Sequence, residues 1–320
     1  MKKLLTLLLI LTSAAASAVV RDIPRDSIMM SDPCILADSV SGMYYMTGTG
    51  GRLWKSTDLA RWTGPYKVVE IDTCSWMGRR PAVWAAEIHQ YKGRYYYFAT
   101  FTNNGTVLLS NSNGDIPRRA SHVLVADKPD GPYRPVGTDN YCPADRPTLD
   151  GTFWIEDGIP YMVYCGEWLY DNDGTMEAVR LSDDLSASVG EPTVLFRASD
   201  SPWSHEVLDG KERRSRVTDG PWLFRTGTGR LGMIWTSWID DVYTMGVAYS
   251  EGGLAGPWIQ EPEPLTPPNH GHGMIFRDFD GRYLISLHSH RSENGRYIRR
   301  PVLFEVDMTG DKIKLGKRID

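Results

Sequence analysis

A glycine-tipped hairpin signature recurs five times along the 320-residue chain, and no other feature restricts its fold so strongly. The turn glycines Gly42, Gly93, Gly158, Gly229 and Gly281 are spaced by 51, 65, 71 and 52 residues. Each opens a short aromatic or β-branched run (MYYMT, YYYFATF, IPYMVYC, LGMIWTSW and YLISLHSH), and a second such run follows. Glycine supplies the positive φ of a hairpin tip without a steric penalty, so each unit reads as a meander of short strands. Several units end in Gly-Pro before an aromatic, as in TGPY, DGPY and AGPW, where proline stops the ladder. No long stretch carries a 3.6-residue period. Repeating units of this size predict an all-β radial array of small sheets, a five-bladed β-propeller. A β-sandwich also yields short strands but requires no repeat.

Composition narrows the function classes. The net charge of −5 and the absence of a Lys/Arg stripe exclude a nucleic-acid footprint. Eleven Trp, 16 Tyr and 8 Phe suit strands, and they also suit sugar faces, which need flat apolar partners. Residues 1–18 read as a cleaved signal peptide: Lys2 and Lys3, an apolar Leu4–Leu11 core, then Ala16-Ser17-Ala18. The expected product is one domain over 19–320, periplasmic or secreted, with no membrane association after cleavage. Cys34, Cys74, Cys142 and Cys165 allow three disulfide connectivities or none, and no pair has zinc spacing.

Between the hairpins, each unit begins with a segment that a propeller directs to its axis. These segments carry Asp32 in SDPC, Glu87 in WAAEIH, Asp150 in TLDGT, Asp219 in VTDGP and His272 in HGHGM. One loop acid is unremarkable. Five polar residues at corresponding places converge on one funnel, where neighbouring carboxylates shift each other's protonation.

In that order and spacing, Asp-Pro, Trp-Ala-x-Glu, Leu-Asp-Gly-Thr, x-Gly-Pro and Gly-His-Gly resemble glycoside hydrolase family 43 from about Ile28 to Val306. The resemblance implies a five-bladed propeller that removes α-L-arabinofuranosyl, β-D-xylosyl or sometimes β-D-galactosyl units with inversion. It implies Asp32 as general base and Asp150 as the group that tunes and orients the acid. Glu87 is expected to tie blades together rather than to catalyse. The family usually has Glu before Gly-Pro, where this chain has Asp219. Asp219 is therefore the expected acid, with Asp200 and Glu206 of the preceding insertion as alternatives.

The expected activity is a secreted exo-glycosidase, most simply an α-L-arabinofuranosidase or β-xylosidase. The alternatives are a β-galactosidase of the same family and a non-catalytic carbohydrate-binding propeller. Trp84, Trp168, Trp203 and Trp238 are the candidate sugar platforms, and His288 and His290 candidate pocket wall; Arg146 and Arg299 are further polar candidates. No cofactor is required. The resemblance also implies an axial cation such as calcium near His272, reached through water because calcium prefers oxygen ligands. His270 is expected to be exposed.

Overall fold

A computed structural model describes residues 20–112, 114–137, 141–209 and 213–320. The signal-peptide segment lies outside them. Among the described residues the only helical pieces are two short 3₁₀ turns, and no helix is long and apolar enough to cross a membrane.

Five antiparallel meanders form the blades, each ordered from inner to outer strand. Blade one is Cys34–Asp38, Met43–Thr47, Arg52–Ser56 and Arg61–Lys67, with Arg21–Pro24 added on its outer edge. Blade two is Ala82–Tyr91, Arg94–Asn111, Gly114–Ala126 and Arg134–Pro135. Blade three is Thr148–Glu156, Ile159–Gly166, Thr175–Leu181 and Ser188–Arg197. Blade four is Asp219–Arg225, Leu231–Ile239, Val242–Ser250 and Trp258–Gln260. Blade five is His270–Arg277, Tyr283–Glu293, Arg296–Asp307 and Lys314–Ile319. The five turn glycines sit at the tips between first and second strands, all with φ between 67° and 86°.

Each blade is covered on both faces by its neighbours, so its middle strands read as nearly continuous apolar runs; LGMIWTS is buried throughout. The core divides accordingly into five clusters, one per interface. Tyr97 and Phe101 of blade two pack on Tyr45 and Leu53 of blade one. Phe98 packs toward Met162 and Tyr164, Val163 toward Trp235, and Ile234 toward Ile285. Ring closure uses packing rather than a shared strand: Leu284 and Leu303 of blade five join Ile28, Met46 and Trp62. Arg25, buried there, donates to the Leu59 carbonyl and to the Ile319 carbonyl at the far end of the chain. All four cysteines are free, three of them buried.

One backbone device repeats at the axis. The inner strands of blades two to five are each interrupted by a bulge, between Trp84 and Glu87, Leu149 and Thr152, Asp219 and Trp222, and Gly271 and Met274. At each bulge one residue has positive φ: Ala85 (42°), Asp150 (55°), Gly220 (50°) and His272 (52°). In blade one Asp32 (58°) does the same just before the strand. Side-chain-bearing residues avoid this conformation unless their surroundings hold them in it. Here the holding groups come from the preceding blade. The N–H groups of Ala85, Asp150 and His272 donate to the hydroxyls of Thr49, Thr100 and Thr236. That of Gly220 donates to Asp150, and that of Asp32 to His288. A bulge re-aims a side chain, and here it turns Asp150 and His272 toward the axis, as the positive φ of residue 32 turns Asp32.

Candidate active site

A cavity of 410 Å³ opens on the axis and is lined by Asp32, Asp150, Asp219 and His272, with Trp84, Trp168, Trp238, Tyr243, His288 and Arg299 around them. His272 is the hub. Its Nδ1 lies 3.3 Å from Asp32 Oδ1, 3.2 Å from Asp219 Oδ1 and 3.9 Å from Asp150 Oδ2. Burial alone would strip the imidazole of its proton, but the surrounding carboxylates, Asp32 first, raise its pKa to about 10. Burial likewise disfavours the Asp32 carboxylate, yet His272 and His288 outweigh it and bring Asp32 down to about 2. Asp32 Oδ2 also accepts from the Thr49 hydroxyl. Asp32 is thus a held, ionised carboxylate.

Asp150 and Asp219 behave as a pair. Burial and the charge of Asp219 push Asp150 well up. Asp219 goes down, because its bonds to Asp150, His272 and Tyr243 outweigh its burial. Of the two, the deeper member is the better placed to hold a shared proton: the Asp150 side chain is 4% exposed and that of Asp219 21%. Gly220 is required beside them, since a Cβ there would lie 2.7 Å from the His272 ring.

Two of the five axial residues read from the sequence, Asp150 and His272, occupy equivalent bulge positions, and Asp32 adopts the same positive φ just ahead of its strand. The other two are displaced. Asp219 precedes its bulge residue by one position, and the Tyr243 hydroxyl and His272 hold it from the side. Glu87 follows Ala85 by two. It lies outside the cavity, bonded to His89, whose ring stacks on Trp222 of blade four and meets Phe153 of blade three.

The alternative acids are not brought to the cavity. Asp200 is exposed and accepts from the Arg197 N–H at the start of a 3₁₀ turn, and Glu206 is exposed on the same insertion. Trp203 is also displaced from its expected role. It is buried against Trp235 with ring centroids 4.6 Å apart, over Gly246, as packing between blades three and four. Trp203→Ala should cost about 3–5 kcal/mol of stability in denaturant titration while leaving KM unchanged; a raised KM in a fully folded variant would return Trp203 to the sugar. Arg146 is held by Glu177 at 2.8 Å outside this cavity, and His270 is half-buried against Phe304.

Sequence reasoning missed four wall residues. Tyr243 donates to Asp219, and Thr49 bridges Ala85 and Asp32. Glu167, buried, pairs with Arg119, whose guanidinium lies 4.1 Å above the Trp84 ring. Trp84 therefore presents one face to Arg119, leaving at most the other for sugar. A signal existed for Glu167: Cys-Gly-Glu-Trp ends the second strand of blade three as Thr-Ser-Trp ends that of blade four. Fit to an axial cation can be judged at His272. Its Nε2 is buried without a hydrogen-bond partner among the described residues, which suits a water carrying an ion.

The glycosyl hydrolases family 43 model matches residues 24–313. A Bacteroides thetaiotaomicron endo-arabinase structure is 35% identical, with a TM-score of 0.76 over 88% of this chain and 95% of that one. An exo-1,5-α-L-arabinanase from a bovine ruminal metagenomic library shares the fold at 17% identity and a TM-score of 0.67, over 92% and 98% of the two chains. Two curated relatives are extracellular endo-α-(1→5)-L-arabinanases. That of Thermotoga petrophila is 28% identical over 44% of this chain, and that of Bacillus subtilis 24% over 78%. The chain spans 34% and 54% of their lengths. With the family model covering nearly all of the described propeller and the axial carboxylates in place, the chain belongs to glycosyl hydrolases family 43.

Proposed function

We propose that the protein is an inverting glycoside hydrolase that cleaves α-1,5-linked L-arabinofuranosyl chains internally. The observation that carries the hydrolase reading is the axial constellation of an ionised Asp32 facing a proton-sharing Asp150–Asp219 pair across His272. Internal cleavage is favoured over the exo action expected from sequence for two reasons. The 35%-identical structure and both curated relatives are described as endo-acting. A second cavity, of 210 Å³, also has Glu167 in its wall, so room lies next to the axial one.

The chemistry follows from the charges. Asp32 takes a proton from water as the oxygen attacks the anomeric carbon. The proton shared by Asp150 and Asp219 passes through Asp219, the more exposed member, to the departing glycosidic oxygen. The pair is then dianionic, and His272 between it and Asp32 offsets the charge. A hydrated cation whose water donates to His272 would need Nε2 bare, so the cation rather than an imidazolium would then supply the positive charge on the axis, while the Nδ1–H would still face the carboxylates. Trp168 and Trp238 supply planar faces, and Arg119, Glu167 and Arg299 hydrogen bonds to hydroxyls.

One observation favours a second reading of the acid. Both Asp219 oxygens already accept from donors, Oδ1 from His272 and Oδ2 from Tyr243, and Glu167 is the remaining carboxyl of the cavity wall. The proposed reaction is tested by incubating the protein with linear α-1,5-arabinan, sizing products over time and reading the new anomer by proton NMR. A ladder of oligosaccharides of inverted configuration supports the proposal. Arabinose alone would make the enzyme exo-acting, retained configuration would overturn the mechanism, and no cleavage would overturn the substrate.

A further inference from the structure

A cavity of 430 Å³ lies beside the active site, at the junction of blades five and one, and has Thr49 and Arg299 in common with the axial one. Its size falls within the range of about 300–1,000 Å³ typical of small-molecule sites. In a ring of five blades this junction stands opposite blade three, whose Glu167 borders both the axial cavity and the one of 210 Å³. Room therefore flanks the axial site on opposite sides, as cleavage inside a chain requires.

The wall of this cavity carries an aromatic ring that the core does not use. Tyr297, on the third strand of blade five, is 60% exposed. Its hydroxyl is nevertheless tied inward, bonded to His290 Nδ1, and the two rings meet edge to face, 4.8 Å apart at 68°. His290 is itself fixed. It is buried, its ring stacks on Tyr243 at 4.5 Å and 12°, and its Nε2 lies 2.8 Å from His288 Nε2. With the hydroxyl tethered, what Tyr297 offers to solvent is its ring. A ring already held in place loses little freedom when a ligand stacks on it, and the apolar face of a sugar is a suitable ligand.

Polar groups stand around that ring. Arg299 lies two residues further along the strand and so shares its face. Its guanidinium is 5.9 Å from the Tyr297 ring centre and donates to the Ser31 hydroxyl at 3.3 Å. The Arg299 carbonyl accepts from the Met30 N–H at 3.1 Å, which fixes the two walls of the cavity to each other. Among the described residues the guanidinium makes no ion pair, so its remaining N–H groups are available to hydroxyls.

We propose that this cavity is a second sugar subsite: Tyr297 is the platform for an arabinofuranosyl unit of the same chain whose neighbour fills the axial cavity, and Arg299, which lines both, bridges the two units. The inference rests on the reading of the axial site as one that takes arabinan.

The test measures how affinity grows with chain length. Arabinobiose and arabinohexaose are titrated by calorimetry into the full chain carrying Asp32→Asn, which prevents turnover. Adding Tyr297→Ala should weaken hexaose about tenfold more than biose, the scale of one lost stacking contact. Adding Tyr297→Phe, which keeps the ring and removes the hydroxyl, should leave hexaose within about twofold. Equal weakening of both lengths in Y297A would mean that Tyr297 only supports the axial wall through His290, and would overturn the subsite. A loss in Y297F as large as in Y297A would overturn the platform. Hexaose that binds through Tyr297 but is not cleaved by the wild type would sink the hydrolytic reading and leave the subsite standing. Cleavage with no length-dependent loss in Y297A would do the reverse, and hexaose that does not bind at all would overturn both.

Discussion

Asp32→Asn should lower kcat on linear arabino-oligosaccharides about 10³-fold while leaving their dissociation constant within about twofold, because general-base assistance contributes on the order of 10²–10⁴. The substitution preserves shape. The amide oxygen can still accept from the Thr49 hydroxyl, and the backbone N–H still meets His288. What is lost is the capacity to take a proton from water. The pocket retains its aromatic walls, so binding measured by calorimetry should persist. Turnover that survives in Asp32→Asn would remove Asp32 from the mechanism. Lost binding together with lost turnover would instead mean that the carboxylate holds the sugar, and the base would have to be sought elsewhere.

That such a prediction can be placed on residue 32 at all reflects what a repeat makes legible. Gly42, Gly93, Gly158, Gly229 and Gly281 each adopt the positive φ that marked them as hairpin tips. Runs such as YYYFATF are buried throughout because both faces of a blade are covered, so an alternating pattern never had to appear. The axial register was less legible. A β-bulge is an extra backbone residue with no required side chain. Ala85, Asp150, Gly220 and His272 share a conformation but no chemistry. Motif alignment therefore picked Asp219 and Glu87 for blades four and two, although Gly220 and Ala85 hold the equivalent places.

The walls were least legible, since they come largely from the second and third strands and the loops that join them. Arg119 reaches Glu167 over a sequence separation of 48 residues, and Tyr243 reaches Asp219 over 24. No local pattern encodes such meetings. Trp203 shows the converse error. Its sequence context makes it a candidate sugar platform, yet Gly246 leaves a gap beneath it that a large ring fills. Aromatic abundance alone does not separate a sugar platform from a packing element.

The proton donor can be identified from the leaving group. A sugar alkoxide leaves only when protonated, whereas nitrophenolate leaves unaided, so loss of the acid is felt by one substrate and largely spared in the other. Asp219→Asn should therefore lower kcat/KM about 10²–10³-fold on arabino-oligosaccharides but less than about tenfold on their 4-nitrophenyl glycosides. Glu167→Gln should weaken both substrates alike, through KM, because it unpairs Arg119 beside Trp84 and loosens the sugar-facing wall. The opposite pattern, with leaving-group sensitivity in Glu167→Gln and a uniform loss in Asp219→Asn, would move the acid to blade three. Asp219 would then be an electrostatic partner of His272. That outcome has a physical logic of its own: aspartate is one methylene shorter than the family's usual glutamate, and here both its oxygens are already bound. The Asp150→Asn variant separates the two cases further. If Asp150 is the reservoir of the shared proton, its loss should reproduce the leaving-group pattern of Asp219→Asn; if Glu167 is the donor, Asp150→Asn should show no such preference.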